Sequence, residues 1–442
     1  MVSFTQPEKK RVRFSNLAQS IEVDIPNNWL IKSLGQIADV NPEVIDESYP
    51  HTEILYIDIG SVENFRVQRY EKIKLGDRPS RAQRIVRKND IIISTVRPNL
   101  KAFAKLELEE PNLVCSTGFT VVRPYSIDDA DLIFNFIQGH HFETDILRHM
   151  EGMAYPAITS NVIGNSLIPY SPNNLERGRI ASILSKVDDL IQKTDVTIEE
   201  TQTLKKSLMQ ELLTKGLGHT IFRNPRKDRN PYQLSSIPQK WDYVFLGEPF
   251  SGQLNNGLNK DAESYGHGCL HVNIENLFEG FNITLHNLGR VSATDNEIEH
   301  YKMQKGDICI LRSSVKWDGV GHPALYNSDS REPVVFSGFI IRFRPNREFW
   351  NPIFLTYLLR SNFIRNNIKA WATVSANINI NQESLKKIPV PHPQLEEQDR
   401  IASALYRLEL AILMRNEGRK KLEILKKGLV QKLLTGQIRM KV

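Results

Sequence analysis

The chain is predicted to be an α+β protein: two homologous mixed α/β domains separated by two long antiparallel coiled-coil helices, with pseudo-twofold symmetry. Three observations predict this. Nearly the whole chain is written twice, each copy carries short β-rich runs with a clear helix, and each copy ends in a long heptad-patterned helix.

The duplication is plainest near the end of each copy. Ile168-Pro169-Tyr170-Ser171-Pro172 leads into Leu175-Glu176 and Arg179-Ile180-Ala181-Ser182, and Ile388-Pro389-Val390-Pro391 leads into Leu395-Glu396 and Arg400-Ile401-Ala402-Ser403. The helices close alike, as Leu212-Leu213-Thr214 and Leu433-Leu434-Thr435. Weaker pairs align with them: Ile25-Pro26 and Trp29 with Ile237-Pro238 and Trp241, Asp90-Ile91 with Asp307-Ile308, Gly118-Phe119 with Gly338-Phe339, Phe136 with Tyr357. The offset climbs steadily from 212 to 221, as one fold with small loop insertions requires. A period this long excludes a solenoid and marks a duplicated module.

The elements follow in order. Residues 1–21 form a basic, polar N-terminal extension with no signal-peptide core. Residues 22–172 form the first domain, with β-rich runs such as Ile91-Ile92-Ile93 and one helix near 128–150; residues 237–393 repeat that order. Residues 173–216 and 394–437 hold the long helices. Ile180, Leu184, Val187, Ile191, Thr194, Ile198 and Thr201 keep 4-3 spacing, and Ile401, Leu405, Leu408, Ile412, Leu422, Leu429 and Leu433 fit the same grid. A narrow seam of this kind suits one partner helix, most simply the other copy, paired antiparallel. Arg415 and Arg419 then fall on the seam and need solvent or carboxylates such as Glu199 and Glu200. Residues 217–236 read as an exposed basic linker carrying Arg223, Arg226, Lys227 and Arg229, and residues 438–442 as a short tail.

Composition narrows the function classes. At 442 residues, 40% hydrophobic and 24% charged, the chain has globular composition, and no apolar run approaches the roughly 20 residues of a membrane span. Three scattered cysteines suit a reducing cytoplasm. A net charge of +6 mildly favours a polyanionic partner.

The entry to the second long helix, Pro391-His392-Pro393-Gln394-Leu395-Glu396-Glu397-Gln398-Asp399-Arg400-Ile401, resembles the conserved-region signature of specificity subunits from type I restriction-modification systems. So do the Ile-Pro-x-x-Trp module starts, the stretch Asp90 to Pro98, and the Leu-Leu-Thr helix ends. Glu176-Arg177-Gly178 departs from the Glu-Gln usual at that place in the family. The resemblance covers nearly the whole chain. It implies two target-recognition domains, each reading one half of a bipartite asymmetric site in double-stranded DNA, with the helices setting the spacing. It also implies docking of two adenine-specific DNA methyltransferase subunits, for which Leu175, Glu176, Arg179, Leu395, Glu396, Gln398 and Arg400 are the candidate residues, and assembly with ATP-dependent restriction subunits. AdoMet and ATP then belong to those partners, and this chain carries no cofactor or metal and no catalytic residue.

Arg and Lys fix a protein on phosphates, while Arg, Asn, Gln and Ser reach base edges. In the first domain the candidates are Arg81, Arg84 and Lys88 before the strand Ile91-Ile92-Ile93, then Ser94, Thr95, Arg97, Asn99 and Lys101 after it. The equivalent place in the second domain holds Arg312, Ser313, Ser314, Lys316 and Trp317. A second group precedes the long helices: Tyr155, Thr159 and Asn161, and Ser375, Asn377 and Asn379. Asp90 and Asp307 read as structural turn residues, and His267-x-Cys269-x-His271 as a strand rather than a zinc site.

Two rivals remain. An enzyme acting alone would need a base-gripping loop; the nearest string, Asn351-Pro352-Ile353-Phe354, reads as a helix cap followed by a first-turn proline, and no phosphate-binding glycine loop occurs. A protein scaffold that binds no DNA would also use paired helices.

Overall fold

The computed structural model describes residues 9–13, 22–150, 156–224 and 236–440. The chain divides into two compact units that cut across the linear order of the copies. One contains Met1–Asp195 with Glu417–Val442, the other Val196–Asn416. Each unit therefore joins one globular domain to the first half of one long helix and the second half of the other.

In the first unit an antiparallel sheet runs in the order Phe103–Lys105, Ile91–Ser94, Phe119–Pro124, Ala38–Val40. The second unit has the same order: Pro323–Tyr326, Asp307–Leu311, Ile340–Pro345, Gly252–Asn256. The centre strand is apolar on both faces, and alternation sends its side chains to two cores. Ile91 and Ile93 join Trp29, Phe103, Phe136 and Ile180, whereas Ile92 joins Ile57, Val86 and Phe119. In the second unit Ile308 and Ile310 face Trp241, Tyr357 and Ile401, whereas Cys309 and Leu311 face Val272, Phe336 and Ile340. A second sheet covers the outer core in each unit, with the parallel pair Glu53–Ile57 and Leu113–Ser116 answered by Tyr265–Val272 and Val334–Phe336. Ala82–Ile85 extends that sheet in the first unit, with no counterpart among the described residues of the second.

The start of each strand Ile91–Ser94 and Asp307–Leu311 is fastened identically. Asp90 accepts from the Arg87 backbone N–H at 2.8 Å and from Arg123, and Asp307 accepts from the Gln304 backbone N–H at 2.7 Å and from Arg344. Both aspartates are buried turn anchors, as their position at the strand start predicts. Cys269 and His271 lie buried in a strand, and no metal-holding group of His, Cys, Asp or Glu occurs among the described residues.

The helix expected over 128–150 is two helices, Ile127–Ile137 and His140–Arg148, broken at Gly139, whose extended backbone starts the second. Ser126 caps the first, a turn earlier than its counterpart Pro352–Arg360, where the Asn351 side chain accepts from the Ile353 and Phe354 N–H groups. That cap accounts for the Asn-Pro-Ile-Phe string.

The long helices run Asn174–Lys215 and Leu395–Leu434, 42 and 40 residues. Within each unit the two halves lie antiparallel. In the first, Lys426 pairs with Asp188 at 2.5 Å, and seven residues back Arg419 pairs with Asp195. In the second, Lys205 pairs with Glu409 at 2.5 Å. Arg419 thus finds Asp195 and Glu423, not Glu199 or Glu200, and Arg415 donates to the Ala411 carbonyl of its own helix. The helix ends also pack on the domains: Leu433 and Leu434 join the core of the first unit, Leu212 and Leu213 that of the second.

The described residues of segments 1–21 and 217–236 share a design. Lys9–Arg13 pairs antiparallel with Glu22–Pro26, and Phe222–Arg223 with Ile237–Pro238, so the described parts of both extend the module that follows them. Arg223 is held by Asp242 and the Trp241 carbonyl; Arg226, Lys227 and Arg229 lie outside the described residues.

Candidate nucleic-acid interface

At the C-terminal end of each centre strand, two loops that are far apart in sequence meet. In the first domain Val96 bridges Ala157; the Arg97 N–H donates to the Pro156 carbonyl at 2.8 Å and the Ile158 N–H to the Thr95 carbonyl at 2.9 Å. In the second, Ser313 and Ser314 pair with Asn379 and Ile378, and the Ile380 N–H donates to the Arg312 carbonyl at 2.9 Å. Thr373–Val374 adds a third short strand there. Both loop groups singled out in each copy therefore form one surface.

The side chains on that surface differ between the domains. The first presents Arg97, Asn99 and Asn161, all exposed, and Thr159, which caps the helix Ser160–Asn165. Arg97 and Lys101 both hold left-handed backbone, at φ 47° and 55°, bracketing the tight turn Pro98–Leu100. Non-glycine residues in this region are uncommon and concentrate at binding sites. Arg81 sits beside this edge, its carbonyl accepting from the Thr117 N–H at 2.8 Å. The second domain presents Lys316, Trp317, Ser375 and Asn377, with Arg312, Ser313, Ser314 and Asn379 partly covered. It also exposes Val315 and Phe339, whereas Phe119, the counterpart of Phe339, is fully buried.

Several expected contact residues are engaged elsewhere. Ser94 is fully buried and donates to the Val96 carbonyl at 2.6 Å, so it shapes the loop rather than facing a ligand. Thr95 donates to the Gly118 carbonyl at 2.9 Å. Arg84 is turned inward between Asn41 and the Phe119 carbonyl, and burial lowers its pKa. Lys88 stands at the opposite end of the strand from the loop pair and pairs with Glu109 at 2.7 Å. Tyr155 lies outside the described residues.

The docking candidates separate in the same way. Leu175, Arg179, Glu396 and Arg400 are exposed and Leu395 partly so, on the first turns of the long helices. Glu176 and Gln398 are fully buried and cannot meet a partner there. Glu176 accepts from Trp29 Nε1 at 3.2 Å, Ser171 Oγ at 2.6 Å and Arg439 Nε at 2.5 Å. Burial raises the Glu176 carboxyl, but these donors outweigh it and hold the group below its ordinary range. Its counterpart is Glu397, which accepts from Trp241 Nε1 at 2.9 Å and lies 2.9 Å from His219 Nε2. The letter match of Glu176 with Glu396 is therefore one residue out. Arg177 then answers Gln398: Arg177 donates to Asp129 at 3.1 Å and the Ser171 carbonyl at 3.0 Å, and Gln398 to the Phe349 and Pro393 carbonyls at 3.1 and 3.0 Å. The departure at Arg177 is a change of buried partner within the unit.

Arg365 and Lys369 also reach the second loop pair, through Asp318; helix residues 47 and 51 positions further along the chain carry no local signal of that placement. Among the described residues no helix is long and apolar enough to cross a membrane.

Two copies of one α+β module, each with variable side chains on a shared loop-pair frame and each completed by paired helix halves, define a class of two-domain specificity protein. The chain belongs to the type I restriction modification DNA specificity domain family, whose model matches residues 26–200 and 280–424. It is similar to the type I restriction enzyme MjaVIII specificity subunit of Methanocaldococcus jannaschii, 25% identical over 430 residues and covering 94% of each chain. Its fold is like that of a type I restriction-modification S subunit from M. genitalium, at TM-score 0.57 and 15% identity over 92% of this chain and 96% of that one. A chain solved in work on complex assembly and conformational transition of a type I system gives TM-score 0.54 and 22% identity over 93% and 99%.

Proposed function

We propose that each globular domain of this chain reads one half of a bipartite, asymmetric site in double-stranded DNA through its loop pair, and that the long helices set the spacing between the halves. The observation that carries this reading is the loop pair itself. Equivalent backbone bonds hold it in both domains, yet the exposed side chains it carries differ: Arg97, Asn99 and Asn161 in one, Lys316, Trp317 and Asn377 in the other. A constant frame with changed side chains is what two different half-sites require. The net charge of +6 supports a polyanionic ligand.

The exposed first turns around Leu175, Arg179, Leu395, Glu396 and Arg400 are the surfaces we assign to two adenine-specific methyltransferase subunits, with ATP-dependent restriction subunits joining that complex in the cytoplasm. AdoMet and ATP bind those partners, and this chain contributes specificity without catalysis.

Methylome sequencing of cells expressing the chain with its cognate methyltransferase tests the proposal. A bipartite methylated motif is expected, and exchanging the loop residues 97–101 for those of another family member should alter one half only. Methylation without a bipartite motif, or a change in both halves, refutes it. Failure to bind DNA with the methyltransferase present favours the protein-scaffold reading.

A further inference from the structure

Both domains tie the loop after the centre strand to the second short helix by an ion pair, but with opposite polarity. In the first domain the loop gives the cation: Lys101 Nζ lies 2.8 Å from Glu143 on the helix His140–Arg148. In the second the loop gives the carboxylate: Asp318 lies 2.5 Å from Lys369 Nζ on the helix Asn362–Ala370. One turn earlier on the same face, Arg365 donates to the Asp318 carbonyl at 3.0 Å.

Two features of this cluster are unlike an ordinary structural ion pair. Arg365 is only 8% exposed, yet its NH1 group has no acceptor. A guanidinium carries five donors, and buried donors are rarely left unmatched. The Asp318 side chain, by contrast, is 92% exposed and touches the cluster through one oxygen. Burial lowers the Arg365 pKa to about 10, with Asp318 opposing the fall, so the group still carries its charge at neutral pH. Lys369 thus meets a solvent-facing carboxylate, while Arg365 beside it holds the loop by the Asp318 carbonyl. The loop can lie this close because Gly321, at φ 68°, passes over the helix where a Cβ would sit 2.3 Å from Ile368 and 3.0 Å from Arg365 NH1.

A phosphate diester can take the place of Asp318 at Lys369, bringing a fixed negative charge with several acceptor oxygens for the ammonium to meet. The exposed carboxylate competes poorly, because solvent and salt screen a pair of this kind. We propose that Lys369 is a DNA-phosphate seat of the second domain, beside a loop held in place by Arg365, and that Asp318 fills it in the free protein. This rests on the DNA-reading function proposed above. Phosphate contact here places the duplex beside Lys316 and Trp317 without itself reading sequence. The reversed pair in the first domain makes Lys101 the cation that a phosphate takes from Glu143.

The test uses the full chain, alone and with its methyltransferase, and a random-sequence duplex, titrated by fluorescence anisotropy between about 50 and 200 mM salt. Asp318→Asn, which keeps the shape and removes the competing charge, should tighten binding several-fold. Lys369→Gln should weaken it and lower the salt slope by about 0.9, the share of one phosphate. The double variant should bind like Lys369→Gln alone. Asp318→Ala provides a second route should the amide find new partners, and it too should tighten binding. Binding that is salt-dependent but unchanged or weakened by the Asp318 substitutions, or a slope untouched by Lys369→Gln, overturns the seat while leaving the DNA reading in place. No duplex binding by the unsubstituted chain in either form overturns the DNA reading itself.

Discussion

Replacing Arg439 by Ala should strand the Glu176 carboxylate. Glu176 is fully buried, and Arg439 meets it with two donors, at 2.5 and 3.0 Å. The substitution leaves only Trp29 and Ser171 as donors and no positive charge. Breaking a buried pair from one side costs about 3–5 kcal/mol. Arg439 keeps 20% of its side chain exposed, which places the loss near the lower end, about 3 kcal/mol. For a unit of this size that is a fall in melting temperature of about 6–12 °C. The pH dependence has a definite sign. In the unsubstituted protein Glu176 titrates below its unfolded value, so its stabilisation is present above about pH 4.3 and is lost as pH falls through the folded value. Without Arg439, burial acts against the charged form, so the deficit is largest at neutral pH and shrinks as protonation relieves it. Hydrogen exchange read peptide by peptide separates the units: protection should fall in Met1–Asp195 and Glu417–Val442 and hold in Val196–Asn416. Adding Glu176→Gln should restore part of the loss. An Arg439→Ala protein with unchanged protection at neutral pH, or a double variant no better than the single, refutes the reasoning.

Gly257→Ala should destabilise the second unit by about 2 kcal/mol or more, because the new Cβ would sit 2.2 Å from the Ser337 carbonyl oxygen; thermal melting reads this directly. Arg312→Ala should weaken binding to the native site by about 1–3 kcal/mol in a salt-resolved titration, and unchanged affinity and preference would remove it from the interface. Inserting four residues, near one turn, in phase within one long helix should lengthen the unread spacer of the methylated motif and keep both half-sites; altered bases beside an intact spacer would discard the ruler role.

The frame of the fold was open to reading because it recurs. Ile25-Pro26 with Trp29 and Ile237-Pro238 with Trp241 mark the same corner twice, and a centre strand such as Ile91-Ile92-Ile93 announces burial on both faces by composition alone. Registers were harder. Glu396-Glu397 offers two equal letters, and only the indole hydrogen bond from Trp241 selects the second. Asp195 rather than Glu199 meets Arg419 because that choice depends on the stagger of two helices, which heptad spacing leaves free. Within the site, the loops that meet were identified, but side-chain direction was not: Ser94 and Arg97 are three residues apart, one turned into the core and one exposed. Lys369 could not be placed, since its partner Asp318 is brought to it only by the folded helix.

The division of the chain into Val196–Asn416 and the two flanking pieces has a consequence for synthesis. The second unit is one continuous stretch and is complete when Asn416 emerges. The first is translated earlier but lacks its closing helix half until Glu417–Val442 follows, including Leu433, Leu434 and Met440 of its core and the Arg439 partner of Glu176. At roughly 5–20 residues per second, its apolar faces wait on the order of ten seconds or more for the last segment. The half made first is thus the half finished last, and a ribosome that stops short of the final two dozen or so residues leaves a finished second unit attached to an open first one.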